Sequence, residues 1–585
     1  MRFAKSNIRQ VTVLAALLFL CLSANAQLLN KEHDKGVDYQ RQKEVTGRFA
    51  VPIETYNGFA GTYGELRGNH FHCGLDMRTS GVQGRKIYAA DDGYVSRITI
   101  SPWGYGNMIM VTHPSGYKTI YGHLLGFAPK YKKLVLEKQY VEESWRQYID
   151  FPADSLPVKR GDLIAYSGNT GSSGGPHLHF EVLDENDVPV NLQIPNIFNL
   201  KDAESPIIRD VRLVGCAPFY GTLYTFNLKM DGDTVNVSKC FYVAMDAYDV
   251  MAGTPGKLAV YKYEALLDGE SFFCFTEGNI PTSTGRYIAS LLDHPLRRST
   301  GRYFVKTQMD PANLLIDRTE VADDGIITIS DSLVHTITVV VTDVYGNTSR
   351  KDIKVVRNDS MYNDAVPFSP DGNFAAWDSD SKFFYDGLTV ALPAGALFRN
   401  AFIKTEKVED SYIAQKNLRA MSGLWRVGDG NIPLNKDITL TMRADVPAAY
   451  LDKAVIARVG SGSLSSCGGT YNALTREMTA TVSSFGTFCV TADITPPEVS
   501  VKVAEGATVK ASSIKAVIKD RISGIKEFRA EIDGHWVVAA LDGKTSTLEI
   551  ALADARISKG KKHKLVLTVE DNVGNKTAVT RNFVW

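Results

Sequence analysis

Two short segments, far apart in the chain, carry the residue types of a single metal site. The first runs from His72 to Asp76 and the second from His177 to His179. Two imidazoles and one carboxylate, from His72, Asp76 and His179, can hold Zn²⁺ and leave a fourth position for water. Six of the eleven histidines of the chain fall between residues 70 and 179. The fold must therefore bring these two segments to one point.

Strand geometry gives a definite prediction for the second segment. Successive side chains of an extended strand point to opposite faces, so His177 and His179 share one face. The first segment needs a bend, because four extended residues span roughly 13 Å, too far for His72 and Asp76 to share one ion. Gly74 lies between them and can supply that bend.

Six segments in a fixed order surround these residues. They are His72–Asp76, Tyr88–Gly93, Tyr121–Leu124, Val158–Asp162, Ser167–Gly171 and Gly175–Glu181. In residue type and order they resemble the lysostaphin-type zinc endopeptidases, also called LytM-like or peptidase family M23, which cut peptide bonds in bacterial peptidoglycan. No residue of the family's motifs is missing.

The resemblance implies a role for each motif residue. His72, Asp76 and His179 would bind one Zn²⁺ per chain, and His123 and His177 would serve catalysis without binding it. Bound zinc would polarise the scissile carbonyl and lower the pKa of water. Glu181, on the same face as His179, either fixes an imidazole or lies at the rim of the site. The implied activity is that of a zinc metalloendopeptidase that hydrolyses peptidoglycan stem peptides or cross-links during cell-wall remodelling.

Two other classes of function stay open. A catalytically silent or latent wall-binding scaffold would regulate another wall hydrolase, but it would require a broken metal site. An adhesin-like stalk would carry the enzyme as cargo. In a latent enzyme, residues 27 to about 60 or a β module would cover the cleft, with His33 or Asn69 as the plug.

Several nearby residues have simpler interpretations. His70 and His113 are expected to be structural or to support the ligands. Cys73 adjoins His72, but an extended chain would point it away, so a buried thiol is favoured over a fourth ligand. The stretch from Leu125 to Pro157 is longer than the family's usual link, and its aromatic side chains are expected to wall the substrate groove: Trp145, Tyr148 and Phe151.

The length of 585 residues predicts about four domains. The predicted fold class is mainly β: an antiparallel-sheet LytM-like peptidase domain followed by about three immunoglobulin-like β-sandwiches, since short Val-, Ile- and Thr-rich runs alternate with turn residues. The predicted divisions are 1–26, a signal peptide; 27–198, the peptidase domain, with a core of about 48–195 and an insertion of about 125–157; 203–357 and 494–585, immunoglobulin-like domains; and 358–493, a β-sandwich similar to the ZU5 fold.

The two immunoglobulin-like modules share sequence features. Asp343–Asn347 and Asp571–Asn575 both read Asp-x-x-Gly-Asn, which fits a hairpin turn between strands. In the module between them, Asp364, Asp371, Asp378 and Asp380 could supply oxygen ligands to calcium, although a solvated linker is the favoured interpretation.

The first residues predict export. Basic residues precede an apolar run from Val11 to Leu22, and cleavage is expected after Ala26; a lipid anchor at Cys21 is the alternative. No later segment is apolar enough to span a bilayer, so the mature chain is expected in the periplasm or cell envelope. Export permits disulfides, and Cys467 with Cys489 is the candidate pair.

Partner classes follow from charge and family. With 65 basic and 65 acidic side chains, no net field favours nucleic acid. Peptidoglycan is the expected partner, and the β domains could contact other envelope proteins.

Overall fold

The computed structural model describes residues 47–585 except for 154, 194–197, 199, 220, 231, 279, 316–318, 359, 361–370, 410–419 and 462. The predicted signal peptide, the lipid-anchor alternative at Cys21 and the plug candidate His33 all lie outside these residues. Within the described part of the chain, no helix has the length and apolar character needed to cross a membrane. The predicted mainly β fold class is confirmed, since nearly all regular elements are strands.

The N-terminal domain (residues 47–198) contains eleven strands and one helix among its described residues. Its elements are β1 (Phe59–Gly61), β2 (Leu75–Arg78), β3 (Lys86–Tyr88), β4 (Gly93–Ile100), β5 (Met108–Thr112), β6 (Lys118–Gly122), β7 (Gly126–Phe127), α1 (Pro129–Glu142), β8 (Gln147–Asp150), β9 (Pro157–Val158), β10 (Leu163–Tyr166) and β11 (His177–Leu183).

A large antiparallel sheet organises this domain. Its strand order is β1-β2-β11-β6-β5-β4-β8, with β9 also pairing with β4, while β3, β10 and β7 form a second sheet. The central strand β11 alternates residue types: Leu178, Phe180 and Val182 face the apolar core, and His177, His179 and Glu181 share the opposite face. All seven residues of β11 are buried. A buried polar row of this kind needs partners close by.

The insertion does not wall the site, contrary to the prediction. It forms α1 and β8, and β8 extends the sheet beyond β4, at the opposite end from β1. None of its described residues lines the cleft that contains the histidines. Instead the Tyr140 hydroxyl donates to the carbonyl of Asp554, and the Arg556 guanidinium lies 4.0 Å from the Tyr140 ring centroid. The insertion therefore holds the C-terminal module.

The second module (residues 203–357) packs two sheets face to face. Its strands are β12 (Ile207–Phe219), β13 (Thr222–Asn227), β14 (Thr234–Val237), β15 (Cys240–Met251), β16 (Thr254–Leu258), β17 (Lys262–Leu267), β18 (Glu270–Thr276), β19 (Val305–Lys306), β20 (Thr319–Val321), β21 (Ile327–Thr328), β22 (Val334–Thr342) and β23 (Thr348–Arg357). Between β18 and β19 stand the 3₁₀ turn Thr282–Tyr287 and the helices α2 (Ile288–Leu291) and α3 (His294–Thr300), and a 3₁₀ turn at Asp323–Gly325 precedes β21.

The third module (residues 358–493) is also built from strands. They are β24 (Asn373–Ala375), β25 (Ser381–Tyr385), β26 (Leu388–Leu392), β27 (Ala401–Ile403), β28 (Thr405–Val408), β29 (Leu424–Val427), β30 (Ile438–Arg443), β31 (Ala454–Val459), β32 (Leu464–Ser466), β33 (Thr470–Asn472), β34 (Glu477–Val482) and β35 (Gly486–Ala492), with a 3₁₀ turn at Ala448–Tyr450.

The C-terminal module (residues 494–585) has two sheets, β36-β38-β42-β41 and β37-β44-β43-β39-β40. Its strands are β36 (Glu498–Val501), β37 (Ala507–Thr508), β38 (Ser513–Lys519), β39 (Ile525–Ile532), β40 (His535–Trp536), β41 (Ala539–Asp542), β42 (Thr547–Ala551), β43 (Lys562–Asp571) and β44 (Lys576–Val584). In both this and the second module a short early strand pairs in parallel with the last strand, β14 with β23 and β37 with β44. The shared pairing supports the repeat seen in the sequence.

The candidate disulfide of the third module is not formed. Cys467 and Cys489 are free thiols. Cys489 of β35 lies opposite Ala457 of β31, and the Cys467 amide donates to the Ile456 carbonyl on the other edge of β31. Because β31 lies between them, the two cysteines are too far apart for a disulfide.

The aspartates considered as calcium ligands in the third module do not form a cluster among the described residues. Asp371 pairs with Lys404, and Asp380 accepts a hydrogen bond from the Ala394 amide. Asp371, Asp378 and Asp380 do not form a metal-sized cluster, and Asp364 lies outside the described residues.

Candidate metal centre

Three neighbouring strands position the predicted site. Asp76 of β2 lies directly opposite His179 of β11, and His179 lies opposite Gly122 of β6 on its other side. His123 follows Gly122 immediately, in a left-handed conformation with φ of 58°. Cross-strand pairing therefore gathers residues that are distant in sequence.

The predicted ligands converge on one point. Asp76 Oδ1 lies 3.0 Å from His72 Nε2 and 2.8 Å from His179 Nδ1, and these two nitrogens are 3.0 Å apart. All three side chains are buried. Among the described residues they form one of the few groups able to hold a metal ion.

Each of the two imidazoles, His72 and His179, also has a nitrogen that points away from this point and contacts a protein oxygen. His72 Nδ1 donates to the Thr62 carbonyl at 2.8 Å, and His179 Nε2 donates to Glu181 Oε1 at 2.6 Å. A neutral imidazole carries one hydrogen, so both near nitrogens expose lone pairs. With both rings in this neutral form, two nitrogen lone pairs and a carboxylate oxygen would converge on one point. Such a donor set fits a cation, and its two nitrogens and one oxygen suit Zn²⁺.

The pKa values of His179 and Asp76 both favour a positive charge at this centre. Burial lowers the pKa of His179, but hydrogen bonds to Asp76 and Glu181 outweigh it and raise the pKa to about 10. Burial opposes ionisation of Asp76, yet the His72 charge and hydrogen bonds from the surrounding imidazoles bring its pKa well below the usual range. Protons therefore compete with a metal for this centre.

His123 and His177 lie beside the centre with a common orientation. His123 Nδ1 donates to the Thr170 carbonyl at 2.9 Å, and His177 Nδ1 donates to the Gly175 carbonyl at 2.8 Å. In a neutral ring of this tautomer, Nε2 is the unprotonated nitrogen. Their ring centroids are 4.9 Å apart. Burial, together with His179 and His177, lowers the pKa of His123 to about 3.

The Nε2 atom of His177 is buried and has no hydrogen-bond partner. It stands 3.3 Å from Asp76 Oδ1. An unsatisfied buried acceptor beside a metal-type donor set is a feature of sites that bind a further polar group.

Glu181 settles one alternative that the sequence left open. It is 2% exposed, so it is not a rim residue, and its Oε1 accepts from His179. The same oxygen accepts from the Tyr105 hydroxyl at 2.9 Å. A carboxylate that holds the far nitrogen of a metal-type histidine fixes the ring and its tautomer.

Two residues of the site lay outside the sequence prediction. Tyr105 supports Glu181 as described, and Arg67 Nη2 contacts Asp76 Oδ2 at 3.2 Å. Neither belongs to a motif segment, so only the folded contacts identify them.

The remaining candidates have structural surroundings. His113 bonds the Asp92 carbonyl and the Thr119 hydroxyl. Asn69 Oδ1 contacts His70 Nδ1 at 2.7 Å, so the Asn69 side chain does not plug the centre. The Cys73 thiol donates to the Phe71 carbonyl, and burial raises its pKa to about 12, which makes it a poor metal ligand.

Gly74 is required for a different reason from the predicted one. Its φ is not in the left-handed region. A Cβ at this position would lie 2.5 Å from the Phe180 carbonyl oxygen and 2.8 Å from Glu181 Cγ. Gly74 thus lets the segment between His72 and Asp76 approach β11 closely, and His72 precedes β2 rather than extending it.

The centre opens into a cleft of about 870 Å³. One wall comes from the N-terminal domain, including Tyr105 and the turn 172–176, and the other includes Pro281 and Thr282 of the second module. The described structure thus supplies a groove that a peptide chain could enter and whose floor carries the histidines.

A β-sheet domain with two histidines and an aspartate at one point, and two further histidines beside them, has the architecture of a metallopeptidase. Residues 70–144 match the model of peptidase family M23, and residues 372–493 match the model of a Zu5-like domain. The M23 match lies within the N-terminal domain, and it is to the family that the motifs of this domain resemble.

Several known proteins are similar to part of this chain. An uncharacterized metalloprotease of Haemophilus influenzae is 36% identical over 110 residues, which are 19% of this chain and 18% of the relative. The peptidoglycan DD-endopeptidase ShyB of Vibrio cholerae is 36% identical over 115 residues, 20% of this chain and 21% of the relative. A zinc containing peptidase from Vibrio cholerae, solved as a crystal structure, is 30% identical with a TM-score of 0.19, over 26% of this chain and 40% of that one. The chain spans about a fifth of the length of these curated relatives.

Proposed function

We propose that this chain is an exported, zinc-dependent endopeptidase that hydrolyses peptide bonds in peptidoglycan stem peptides or cross-links, for cell-wall remodelling. One observation carries the proposal: His72 Nε2, Asp76 Oδ1 and His179 Nδ1, three buried atoms of metal-binding type, lie 2.8–3.0 Å from one another. The peptidoglycan substrate is inferred from the relatives, one of which is named as a peptidoglycan DD-endopeptidase. A periplasmic or cell-envelope location is inferred from that substrate and from the export signal in the sequence.

In this proposal the three residues hold one Zn²⁺ through His72 Nε2, Asp76 Oδ1 and His179 Nδ1. When bound, zinc would act as a Lewis acid on the scissile carbonyl and lower the pKa of water. Glu181 and the Thr62 carbonyl keep both imidazoles in the tautomer that presents a lone pair. Preorganised ligands of this kind lose little freedom when the ion binds.

His123 and His177 would manage the proton and the developing charge. The Nδ1 atoms of both rings contact backbone carbonyls, so in the neutral form each ring would present Nε2 as an acceptor. The pair can accept the proton of the attacking water and return it to the amine that leaves. A protonated ring also stabilises the oxyanion of the tetrahedral transition state.

The scaffold alternative needs a damaged site. All five motif residues are present and converge, which supports the enzyme over a silent regulator. No observation on the described residues favours the adhesin-like stalk.

The proposal is tested by digestion of purified peptidoglycan with the chain, followed by mass spectrometry of the released fragments. Two variants accompany it: His179→Ala, which removes a ligand, and His123→Ala, which leaves the three ligands in place. We expect cleavage by the zinc-loaded chain, none by His179→Ala, and a loss of about a hundredfold or more in His123→Ala with zinc retained. Full zinc occupancy without cleavage of any peptidoglycan type would contradict the proposed function.

A further inference from the structure

A second group of acidic residues lies at the junction between the N-terminal domain and the second module. We call Asp202, Asp249 and Asp343 the junction site. Asp202 belongs to the link that leaves the N-terminal domain, Asp249 to β15, and Asp343 to the turn after β22. One carboxylate oxygen of each lies within 4.8 Å of the other two. Asp249 and Asp343 are each 1% exposed.

Several buried atoms of this site have no partner. Asp249 Oδ1, Asp202 Oδ2 and the Tyr345 hydroxyl are buried without a hydrogen bond. In the described part of the chain, no lysine or arginine forms an ion pair with any of the three carboxylates. Burial and the charges of Asp343 and Asp202 raise the pKa of Asp249 to about 7. Three clustered carboxylates, two of them buried, repel one another and are costly unless a cation joins them.

The C-terminal module contains a matched group that lacks these orphaned atoms. Asp493, Asp520 and Asp571 also lie within 4.8 Å of one another. Asn575 Nδ2 bonds the Asp493 carbonyl and Asp571 Oδ2, just as Asn347 Nδ2 bonds the Asp202 carbonyl and Asp343 Oδ2 in the junction site. The two groups therefore occupy equivalent places in the repeat.

Their difference lies in the loop that follows the middle aspartate. Asp520 Oδ1 accepts from the amides of Ile522 and Gly524, and Asp493 Oδ2 accepts from the Ser523 amide. The C-terminal group thus satisfies its oxygens with protein donors. The junction site has no such donors for Asp249 Oδ1 and Asp202 Oδ2, so its vacant acceptors point to an external ligand.

We propose that the junction site binds a hard divalent cation, Ca²⁺, through Asp202, Asp249 and Asp343. Calcium takes oxygen ligands at 2.3–2.6 Å, so two oxygens that share one ion lie at most about 5 Å apart, and one oxygen of each of the three aspartates meets this condition. The site offers no nitrogen or sulfur, which disfavours zinc.

Calcium here would fix the second module against the N-terminal domain. Asp202 is part of the connecting link, and Tyr345, two residues after Asp343, packs on the core of the N-terminal domain. The same module supplies Pro281 and Thr282 to the wall of the cleft. The ion would therefore hold one wall of the cleft in place without touching the histidine centre.

The test uses the full chain loaded with zinc, so that the histidine centre is occupied, and titrates CaCl₂ by calorimetry and by thermal unfolding. We expect one calcium per chain and a calcium-dependent rise in melting temperature. Asp249→Asn should lose both the binding and the rise, and the matched control Asp520→Asn should keep both.

Misfolding is separated from loss of the site by the calcium-free measurement. Because Asp249→Asn removes a buried, repelled charge, the variant should melt no lower than the unsubstituted chain without calcium. Absence of calcium binding by the unsubstituted chain, an unchanged response in Asp249→Asn, a lost response in Asp520→Asn, or a response to Mg²⁺ alone would each overturn the proposal.

Discussion

Single residues of the histidine centre differ in what their far atoms contact. His72 is held by the Thr62 carbonyl and His179 by the Glu181 carboxylate, while His123 Nδ1 contacts a carbonyl and His177 Nδ1 contacts a carbonyl and the Ser173 hydroxyl. These contacts hold each ring in its orientation. Atoms that would touch neither substrate nor metal therefore orient the histidines of the centre. Two predictions concern these contacts.

The first prediction concerns pH. The folded-state pKa of His179 is about 10, above its ordinary value of 6.5, so the metal-free folded chain binds a proton that the unfolded chain releases earlier. The stability contributed by His179 is full below pH 6.5 and is lost as the pH rises through about 10. We expect the melting temperature of the metal-free chain to exceed that of His179→Ala by an amount that shrinks over this range. A difference that stays constant or grows would contradict the assignment.

The second prediction concerns Tyr105. Removing its hydroxyl in Tyr105→Phe deprives Glu181 Oε1 of one donor and loosens the carboxylate that orients His179. We expect zinc affinity to fall about tenfold, the lower end of the effect of such supporting contacts. Competition with a chromogenic chelator measures it. Tyr148→Phe, in the insertion and 70% exposed, is the control and should bind zinc as the unsubstituted chain does.

At the scale of elements, the register of β2 with β11 and of β11 with β6 decides whether a site exists. A slip of one residue would turn His177 and His179 into the apolar core. Gly74 matters to this register because it permits β2 and the His72 segment to lie against β11. The sequence indicated the alternation of β11 correctly, but it suggested a bend at Gly74 where the structure requires a close approach.

Gly74→Ala tests that explanation. The new Cβ would lie 2.5 Å from a backbone oxygen, which cannot move as a flexible side chain can, so we expect a loss of about 1–3 kcal/mol in the free energy of unfolding. Gly126→Ala is the matched control, since a Cβ there meets no atom within 4 Å and its φ is not left-handed. Chemical denaturation measures both. Equal effects in the two variants would refute the close-approach explanation.

At the scale of the whole molecule, the N-terminal domain is contacted by modules on two sides. The second module forms part of the cleft wall, and the C-terminal module docks on α1 through Tyr140. The second module therefore bears on which substrates enter, while the insertion serves assembly.

Thr282→Arg tests the role of the second module. Thr282 is exposed and lines the cleft, so a long side chain there should narrow the entrance and raise the KM for cross-linked peptides several-fold with little change in kcat. Ser283→Arg, its exposed neighbour outside the cleft lining, should leave both parameters unchanged. A fall in kcat for Thr282→Arg at constant KM would argue against a wall function.

The sequence predicted the residues of the site better than the packing of the domains against one another. The motif residues, the mainly β class and the repeated Asp-x-x-Gly-Asn turns follow from local patterns, because strand periodicity and turn chemistry are local properties. Tyr105, the docking of the insertion and the free state of Cys467 depend on contacts between segments distant in sequence. Such contacts are set by tertiary packing, which a single sequence does not display.

The most direct test of the zinc site is zinc K-edge X-ray absorption of the full chain, with metal content measured on the same sample. We expect one zinc per chain with nitrogen and oxygen neighbours at about 2.0–2.2 Å and two imidazoles in the ligand shell. A sulfur neighbour at about 2.3 Å would place Cys73 on the metal, and a chain that binds no zinc would contradict the central claim.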